Sequence, residues 1–521
     1  MSETEELLKR AEGAVAARAS WDDLLRDAYR YAAPELDSQL QGYRMAGARR
    51  RSSVYDSTAI QAVNDAAAQT HMKLTPPHTR FFSIEWAAEV EVSDEDRSLV
   101  LLSDQLFKHI NRSAFHSVIE LAYAQAQIAQ ACICINEANS NSLSAFDIEV
   151  IPAGEIYPEH AWRPSERSVW RIRSVRIDVL ASRWKLNRGL TEGTGRTYND
   201  AENNEILTEG ALWHAYKGKF RYVAIVGKGE KAQIVEDQWQ ATSPFIVGGY
   251  SEAPGENVPR GPVLSVLPDI KTANKIVELI LKNASIAVTG IWQADDDGIV
   301  NPATIKLVPG AIIPKAVGSE GLQPLKSPGS FDVAEIQLQR LQMVIRDAIL
   351  RRELPRMDKS HVTAAAVNQE AIEVELLRMP GLLVLWRTLI VPVIRRCADI
   401  LQRRGLWPPG FHEYIETKVL VEPVAPWLRA QVLADVQQEA AALQMAAILS
   451  PERLQMVVNV PSWQRSVLSR LGFKPEMMRT EEEIEESVAQ DDQARAIAAV
   501  AETAGRAAPA LKTLEGAGNE R

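Results

Sequence analysis

Two stretches of this chain, GPVLSVLPDIKTANKIVELILKN (261–283) and FDVAEIQLQRLQMVIRDAILRREL (331–354), decide how it is read. Both space their apolar residues three and four apart, the period of a helix with one buried face. In the second, Ile336, Leu341, Val344, Ile345, Ala348 and Ile349 form a wide stripe, with Gln, Arg and Asp opposite. Ser330 or Asp332 can cap it, and roughly 22 residues of helix extend about 33 Å. In the first, Pro268 marks either a kink or the true start. Between them, IAVTGIWQ, a turn over Asp295 to Gly298 and TIKLVPGAIIPKAVG read as a small β-rich unit with tight reversals. Helix, β-rich unit and helix follow in hairpin order. On periodicity alone, an ordinary helical hairpin in a globular core is the simpler account.

Working outward, the chain reads as an α+β protein, mainly helical. Towards the N-terminus, residues 145–250 switch to a period of two in FDIEVIP, SVWRIRSVRIDV, ALWHAYKG, KFRYVAIVG and PFIVGGY, a β-rich segment. Residues 188–205, rich in Gly and charge, read as a loop. The first 135 residues read as helices: one capped by Ser20 and stopped at Pro34, one capped by Asp56 or Ser57 and ended by TPP, one opened by Ser93 with Asp96, and AFHSVIELAYAQAQIAQ, which leads into the strand ACICI. Towards the C-terminus a helix begins near His361, is interrupted at Pro380–Gly381 and resumes in GLLVLWRTLIVPVIRRCADILQRRG. More helices occupy 426–472. Residues 481–521 hold ten acidic and four basic residues and eleven alanines, so they supply −6 of the chain's net −10. Such a tail suits a helix within an assembly, or a disordered end.

At 521 residues with 46% apolar residues, the chain can bury one or two sizeable cores. The most apolar run, Gly381 to Ile394, is broken by Arg387 and Pro392, so a membrane span is not expected. MSETEELLKR lacks the basic-then-apolar order of a secretory signal, which points to the cytoplasm as the place of synthesis. Cys132 and Cys134 share a strand face and Cys397 lies far off in a helical stretch; all three read as buried core thiols. A net charge of −10 argues against gripping nucleic acid by a broad basic face. It is compatible with DNA that must slide past, since a mixed or acidic wall does not hold phosphates.

A search for catalytic patterns returns little. VGKGEKAQ lacks the first glycine and the hydroxyl residue of a phosphate loop, and TEGTGRTY follows no strand-to-helix junction. Neither a His-Glu-x-x-His nor a Gly-x-Ser-x-Gly pattern occurs. Asp295, Asp296 and Asp297 precede Gly298 as a turn would. No catalytic residue, metal or cofactor is expected, and the chain reads as a protein that is not an enzyme.

Three stretches together resemble the portal, or head-to-tail connecting, proteins of short-tailed, podovirus-type bacteriophages. They are RRSSVYDSTAIQAVNDAAAQTHMKLTPPHTRFFSIEW (50–86), FDIEVIPAGEIYPEHA with VWRIRSVRIDV (146–179), and PGENVPRGPVLSVLPDIKTANKI (254–276), where Val258 stands in place of the family's usual Tyr-Gly before the arginine. The resemblance implies a portal fold: a wing over 1–260, stem helices over 261–283 and 331–353, a β-rich clip over 284–330, a tunnel loop over 353–361, a wing and long-helix region over 362–425, a helical crown over 426–480, and the acidic tail over 481–521. It further implies a homo-oligomeric ring of about twelve subunits at one capsid vertex of the virion. The ring would be the channel for double-stranded DNA during packaging and ejection, and the dock for terminase and tail adaptor proteins, beside capsid and scaffolding proteins and away from any membrane. About twelve helices, each about 10 Å wide, would leave roughly 28 Å clear, enough for a duplex.

On that reading Arg346, Arg351, Arg352, Arg356, Lys359 and His361 are the candidates to face DNA with weak, exchangeable contacts. Each is equally accounted for as a solvated or ion-paired surface side chain. Trp292 and Ile299 are the candidates for partner docking on the clip. The rival readings are another virion structural protein, such as a capsid or tail-adaptor subunit, and an enzyme of the packaging apparatus, which the missing phosphate loop disfavours.

Overall fold

The computed structural model describes residues 2–36, 53–77, 79–86, 94–139, 141–184, 204–251, 255–289, 331–350, 379–406 and 419–423, and the short pieces 40, 253, 292–293, 323–324, 436, 439–445, 463 and 467. The chain divides into two compact units, Met1–Trp427 and Leu428–Arg521. In the second, residues 439–445 are helical and the Trp463 indole donates to Glu439 at 2.9 Å.

The first unit opens with one long helix, α1 (Glu3–Ala32). Its N-cap is Ser2, not Ser20. The Ser2 hydroxyl accepts from the Glu5 amide (3.3 Å) while the Glu5 carboxylate accepts from the Ser2 amide (2.9 Å), with Glu3 and Glu6 also in the first turn. Ser20 stays an exposed interior residue, because Leu7, Ala11, Ala14 and Arg18 continue in helical register into Leu25, Ala28, Tyr29 and Ala32. A continuous buried stripe outweighs one mid-helix serine, whose propensity cost is a fraction of a kcal/mol, about 0.5.

The strands β2 (Ala131–Glu137), β3 (Phe146–Val150) and β9 (Phe245–Gly248) form a three-stranded sheet in the order β3-β2-β9. A five-stranded antiparallel sheet follows the order β4 (Ile156–Pro158), β5 (Val169–Arg176), β6 (Asn204–His214), β7 (Lys219–Val226), β8 (Gln233–Gln240). One of its inner strands shows why the period-two reading works. Along β7, Phe220, Tyr222, Ala224 and Val226 point into the core shared with Cys132, Cys134 and Phe245 of the smaller sheet, while Val223 and Ile225 meet Leu7, Ala11 and Ala14 of α1. The layers therefore run α1, five-stranded sheet, three-stranded sheet. Arg171, buried beside this core, is held by Glu149 and Glu155; burial works against its charge, and Glu149 and Glu209 more than offset this.

Three details depart from expectation. β6 begins at Asn204, inside the expected loop, and ends at His214, so that AYKG (215–218), expected as strand, is the turn to β7. β5 stops at Arg176, and the IDV expected to prolong it opens the short helix α5 (Ile177–Arg183), where Asp178 accepts from the Val179 amide and pairs with Arg176. β8, whose Glu236 and Asp237 break the alternation, was not anticipated; it is an edge strand with an irregular register at Ala224/Ile225.

The helical layer comprises α2 (Thr58–Leu74), α3 (Asp94–Arg112), α4 (Phe115–Ile128), α6 (Pro262–Thr289) and α7 (Phe331–Leu350). Ile60, Val63, Ala67 and Leu74 of α2 are buried together, as their spacing predicts. α6 begins at Pro262, where a missing amide costs nothing, and runs through Pro268 rather than starting there. It also extends to Thr289, so IAVT (286–289), expected as strand, is helical. The remainder of the expected β-rich unit lies outside the described residues, except that β10 (Trp292–Gln293) pairs antiparallel with β11 (Gln323–Pro324). β1 (Phe82–Trp86) pairs with β12 (Val419–Pro423).

The described part of the late helix begins at Met379, with Pro380 and Gly381 in its first turn, and the expected helix from His361 lies outside the described residues. Residues 379–385 are helical, a π turn follows over Trp386–Ile390, and α8 (Val391–Arg403) completes the run. The irregularity falls one turn before Pro392, whose missing amide releases the carbonyl of Thr388. That carbonyl rests on β9: a Cβ on Gly248 would lie 2.8 Å from it, and the Thr388 hydroxyl accepts from the Gly249 amide at 3.3 Å. Arg396, 2% exposed, points back and donates to the carbonyls of Ile135 (3.1 Å) and Thr242 (2.9 Å).

Candidate functional site

α6 and α7 pack along each other, and α7 also packs on α2. Burial changes along both helices. In α6, Val263, Val266, Leu267, Ile270, Ala273 and Asn274 are buried, whereas Leu279 and Leu281 beyond them are exposed by 49% and 53%. In α7, Ile345, Ile349 and Leu350 are buried at the C-terminal end, while Ile336, Met343 and Val344 stand in solvent. Only part of the apolar stripe expected on α7 is covered. The two helices are thus rooted at one end and bare towards the other, with leucine, isoleucine and methionine uncovered.

The root is built from polar side chains. The Asn274 carbonyl oxygen on α6 accepts from the amides of Tyr55 (2.6 Å) and Asp56 (3.1 Å), and its amide group donates to the Ser53 carbonyl (3.1 Å). Asp56 in turn accepts from Thr58 and from Gln342 of α7 at 3.2 Å. Lys271 pairs with Asp27 of α1. Gly261, just ahead of α6, has a Cβ position 2.2 Å from the Gln127 carbonyl oxygen of α4, and its amide donates to Ile128 O at 3.0 Å. Only glycine lets the start of α6 lie this close to α4. Sequence reasoning placed Asp56 at a helix cap and did not single out Asn274. Their signal was present, since they lie in the DSTA and DIKTANK stretches quoted for the family resemblance.

Of the channel candidates, Arg346 is described: it stands exposed on α7, one residue from Ile345 in the buried seam and beside exposed Asp347. Arg351, Arg352, Arg356, Lys359 and His361 lie outside the described residues, as does Ile299. Trp292 sits in the two-residue pairing of β10 with β11. Along α6, exposed Lys275 and Lys282 flank Glu278, at 3.0 Å for Lys275, which lowers the carboxylate's pKa and raises that of Lys282.

The described residues hold little reactive chemistry. Among them no group of three or more His, Cys, Asp and Glu comes together as metal ligands, and no helix is long and apolar enough to cross a membrane. All three cysteines are free and buried, and burial pushes the Cys134 thiol up to about 12, far from a reactive thiolate. What the arrangement offers is shape: a hairpin fixed at its root, with apolar and charged side chains displayed along its length.

A family model described as bacteriophage head to tail connecting protein matches residues 4–478. The chain belongs to that family. As a head to tail connecting protein it is a structural protein of the phage virion, and the polar root of its hairpin lies in the parts that the resemblance rested on. Among curated protein sequences, none matches significantly. A solved structure of the virion of a native gene transfer agent particle contains a chain that aligns with 85% of this one and 98% of its own length, at 11% identity and a TM-score of 0.35, a distant likeness.

Proposed function

We propose that this head to tail connecting protein is the portal subunit of a short-tailed, podovirus-type phage. In this reading it forms a ring of about twelve copies at one capsid vertex, through which double-stranded DNA enters and leaves. The observation that carries it, beside family membership, is the α6/α7 hairpin with Leu279, Leu281, Ile336 and Met343 uncovered in the single chain. Apolar side chains in that number on paired helices are costly in water, about 1.5–3 kcal/mol for each one that burial would remove from it. A second copy of the same hairpin, side by side in a closed ring, buries them at no cost in new sequence.

The stem of the ring is then α6 and α7, the clip lies within residues 284–330, and the tunnel loop within 353–361. Arg346, Arg351, Arg352, Arg356, Lys359 and His361 border the channel, and Trp292 and Ile299 belong to the surface that terminase and then tail adaptors use. The acidic net charge keeps phosphate contacts few, so the duplex slides. Electron microscopy of the purified protein tests this: top views should show rings with a central hole and a countable symmetry. A monodisperse monomer under all conditions overturns the reading, and a closed shell or a symmetry unlike a ring assigns the chain to a capsid role.

A further inference from the structure

We propose that one end of the five-stranded sheet is a docking surface for an acidic, apolar-bearing segment of another protein, anchored by Trp162 and Tyr216. Strand register gathers the surface. Pro158 faces Val169, Val169 faces Ala211, His214 faces Lys219 and Phe220 faces Gln240, so the β4–β5 connection (159–168), the β6–β7 turn (215–218) and the close of β8 all lie at the same end. The Ser168 hydroxyl accepts from the Trp213 amide at 3.0 Å and ties the two connections together. α1 and the smaller sheet cover the two faces, Asn257 reaches His160 and Arg10 reaches Glu159 at this end, and Trp162 and Tyr216 stand in solvent there.

Large aromatic side chains stand there without cover. Trp162 is 92% exposed and Tyr216 100% exposed, and Trp239, linked to Tyr216 through the His214 ring, is 42% exposed. Single exposed apolar residues are ordinary, but Trp and Tyr gathered on two adjoining connections are the residue types that dominate binding surfaces. The two connections are two strand spacings apart, about 10 Å, the reach of roughly three extended residues. The platform beneath Tyr216 is ordered: Lys217 Nζ lies 3.7 Å above the Trp239 ring and the His214 ring meets Trp239 edge-on at 5.5 Å.

Charge selects the partner. Residues 159–168 and 214–219 carry Arg163, Arg167, Lys217 and Lys219 against Glu159 and Glu166, four cations minus two anions, or +2, in a chain whose net charge is −10. Both anions already have partners, and so do Arg163 and Arg167, so the positive excess rests on Lys217 and Lys219. Glu159 pairs with Arg10 at 2.6 Å and accepts from the Trp170 indole, and Glu166 lies 3.7 Å from Arg163. A duplex would engage the cations but leave the aromatic faces idle, because its bases are stacked away. An acidic segment with apolar side chains uses both. This surface is distinct from the hairpin, so the proposal stands independently of the ring.

The test uses the full-length protein and fluorescence anisotropy with three probes: a labelled peptide of Glu, Asp, Leu and Phe, the same peptide with every acid replaced by its amide, and a short DNA duplex. The acidic peptide should bind, and the amide peptide about tenfold more weakly. Trp162→Ala and Tyr216→Ala should each weaken binding about threefold or more, and Lys217→Glu with Lys219→Glu should abolish it, all without change in circular dichroism or melting temperature. Absence of binding, equal affinity for the two peptides, or indifference to these substitutions overturns the proposal. So does duplex binding that the same substitutions remove, which makes the surface one for nucleic acid, or loss of self-association in the aromatic variants, which assigns it to a second copy.

Discussion

Gly261 has no room for a side chain. A Cβ there would sit 2.2 Å from the carbonyl oxygen and 2.4 Å from the carbonyl carbon of Gln127, and backbone cannot step aside as a flexible side chain can. Gly261→Ala should therefore cost about 2–3 kcal/mol, read as a lowered melting temperature, and should loosen the start of α6 first, read by hydrogen exchange. A second residue-scale expectation concerns acid. His71 is 8% exposed between α2 and α4, stacked on His116 with the ring nitrogens 3.1 Å apart; burial lowers its pKa, and Glu120, 3.7 Å away, partly opposes this. Its folded pKa lies below the unfolded value near 6.5, so the unfolded chain binds more protons between the two. The stability this group contributes is present above the unfolded value and is lost as pH falls below it. Melting temperature should drop more steeply from pH 7.5 to 5.5 in the native protein than in His71→Gln. Equal slopes would show that His71 does not titrate across that range.

Among the elements, the α6/α7 hairpin separates two kinds of stability. Leu279 and Ile336 are exposed by 49% and 64%, so Leu279→Ser with Ile336→Ser should change the melting temperature of the isolated chain by little, within about 0.5 kcal/mol per site. The same pair should shift ring to monomer in sedimentation, because in the proposed assembly those side chains are covered. Much at this scale was legible in the sequence. The period of 3.6 placed α2, α4, α6 and α7, and the period of two placed β3, β5, β7 and β9 and only the last four residues of β6. The failures share a cause: a local signal was weighed without its tertiary partner. Ser20 looked like a cap until the stripe on either side of it found the sheet and α2. An irregularity that the sequence did not announce lies before Pro392, where Gly248 makes room for the Thr388 carbonyl. β8 was hidden because its consecutive acids, Glu236 and Asp237, find tertiary partners on opposite faces of an edge strand, the Trp184 indole and Arg221.

For the whole molecule, the three stretches that carried the family resemblance prove to be packing residues rather than chemistry. Asp56, Asn274 and Gly261 fix the root of the hairpin, and Thr75, fully buried, bonds the hydroxyl of Tyr123 at 3.2 Å. The resemblance was readable because packing at this root restricts residue identity. The channel candidates were less so: an arginine on a wet face looks the same whether it borders DNA or water, and of the six only Arg346 is described. The proposed conduit nevertheless has a sharp consequence. Arg351, Arg352 and Arg356 replaced together by Ala should leave ring assembly intact, seen by electron microscopy, and should impair packaging or retention of DNA, measured as nuclease-protected genome per particle. Normal packaging would show that this loop does not handle DNA.

The long N-terminal helix sets a schedule for synthesis. Leu7, Ala11 and Ala14 find their cover on Leu212, Val223 and Ile225, which the ribosome adds more than two hundred residues later. At roughly 5–20 residues per second, that is a wait of about 10–45 s with the stripe bare. The part of the stripe that waits for the sheet, Leu7, Ala11 and Ala14 with Leu8 at its edge, is a small liability over such an interval, and the helix can form early under its own Ser2–Glu5 cap. A wider stripe of Leu, Ile and Phe in its place would pack more surface in the finished protein and would present a nascent chain with something to aggregate through.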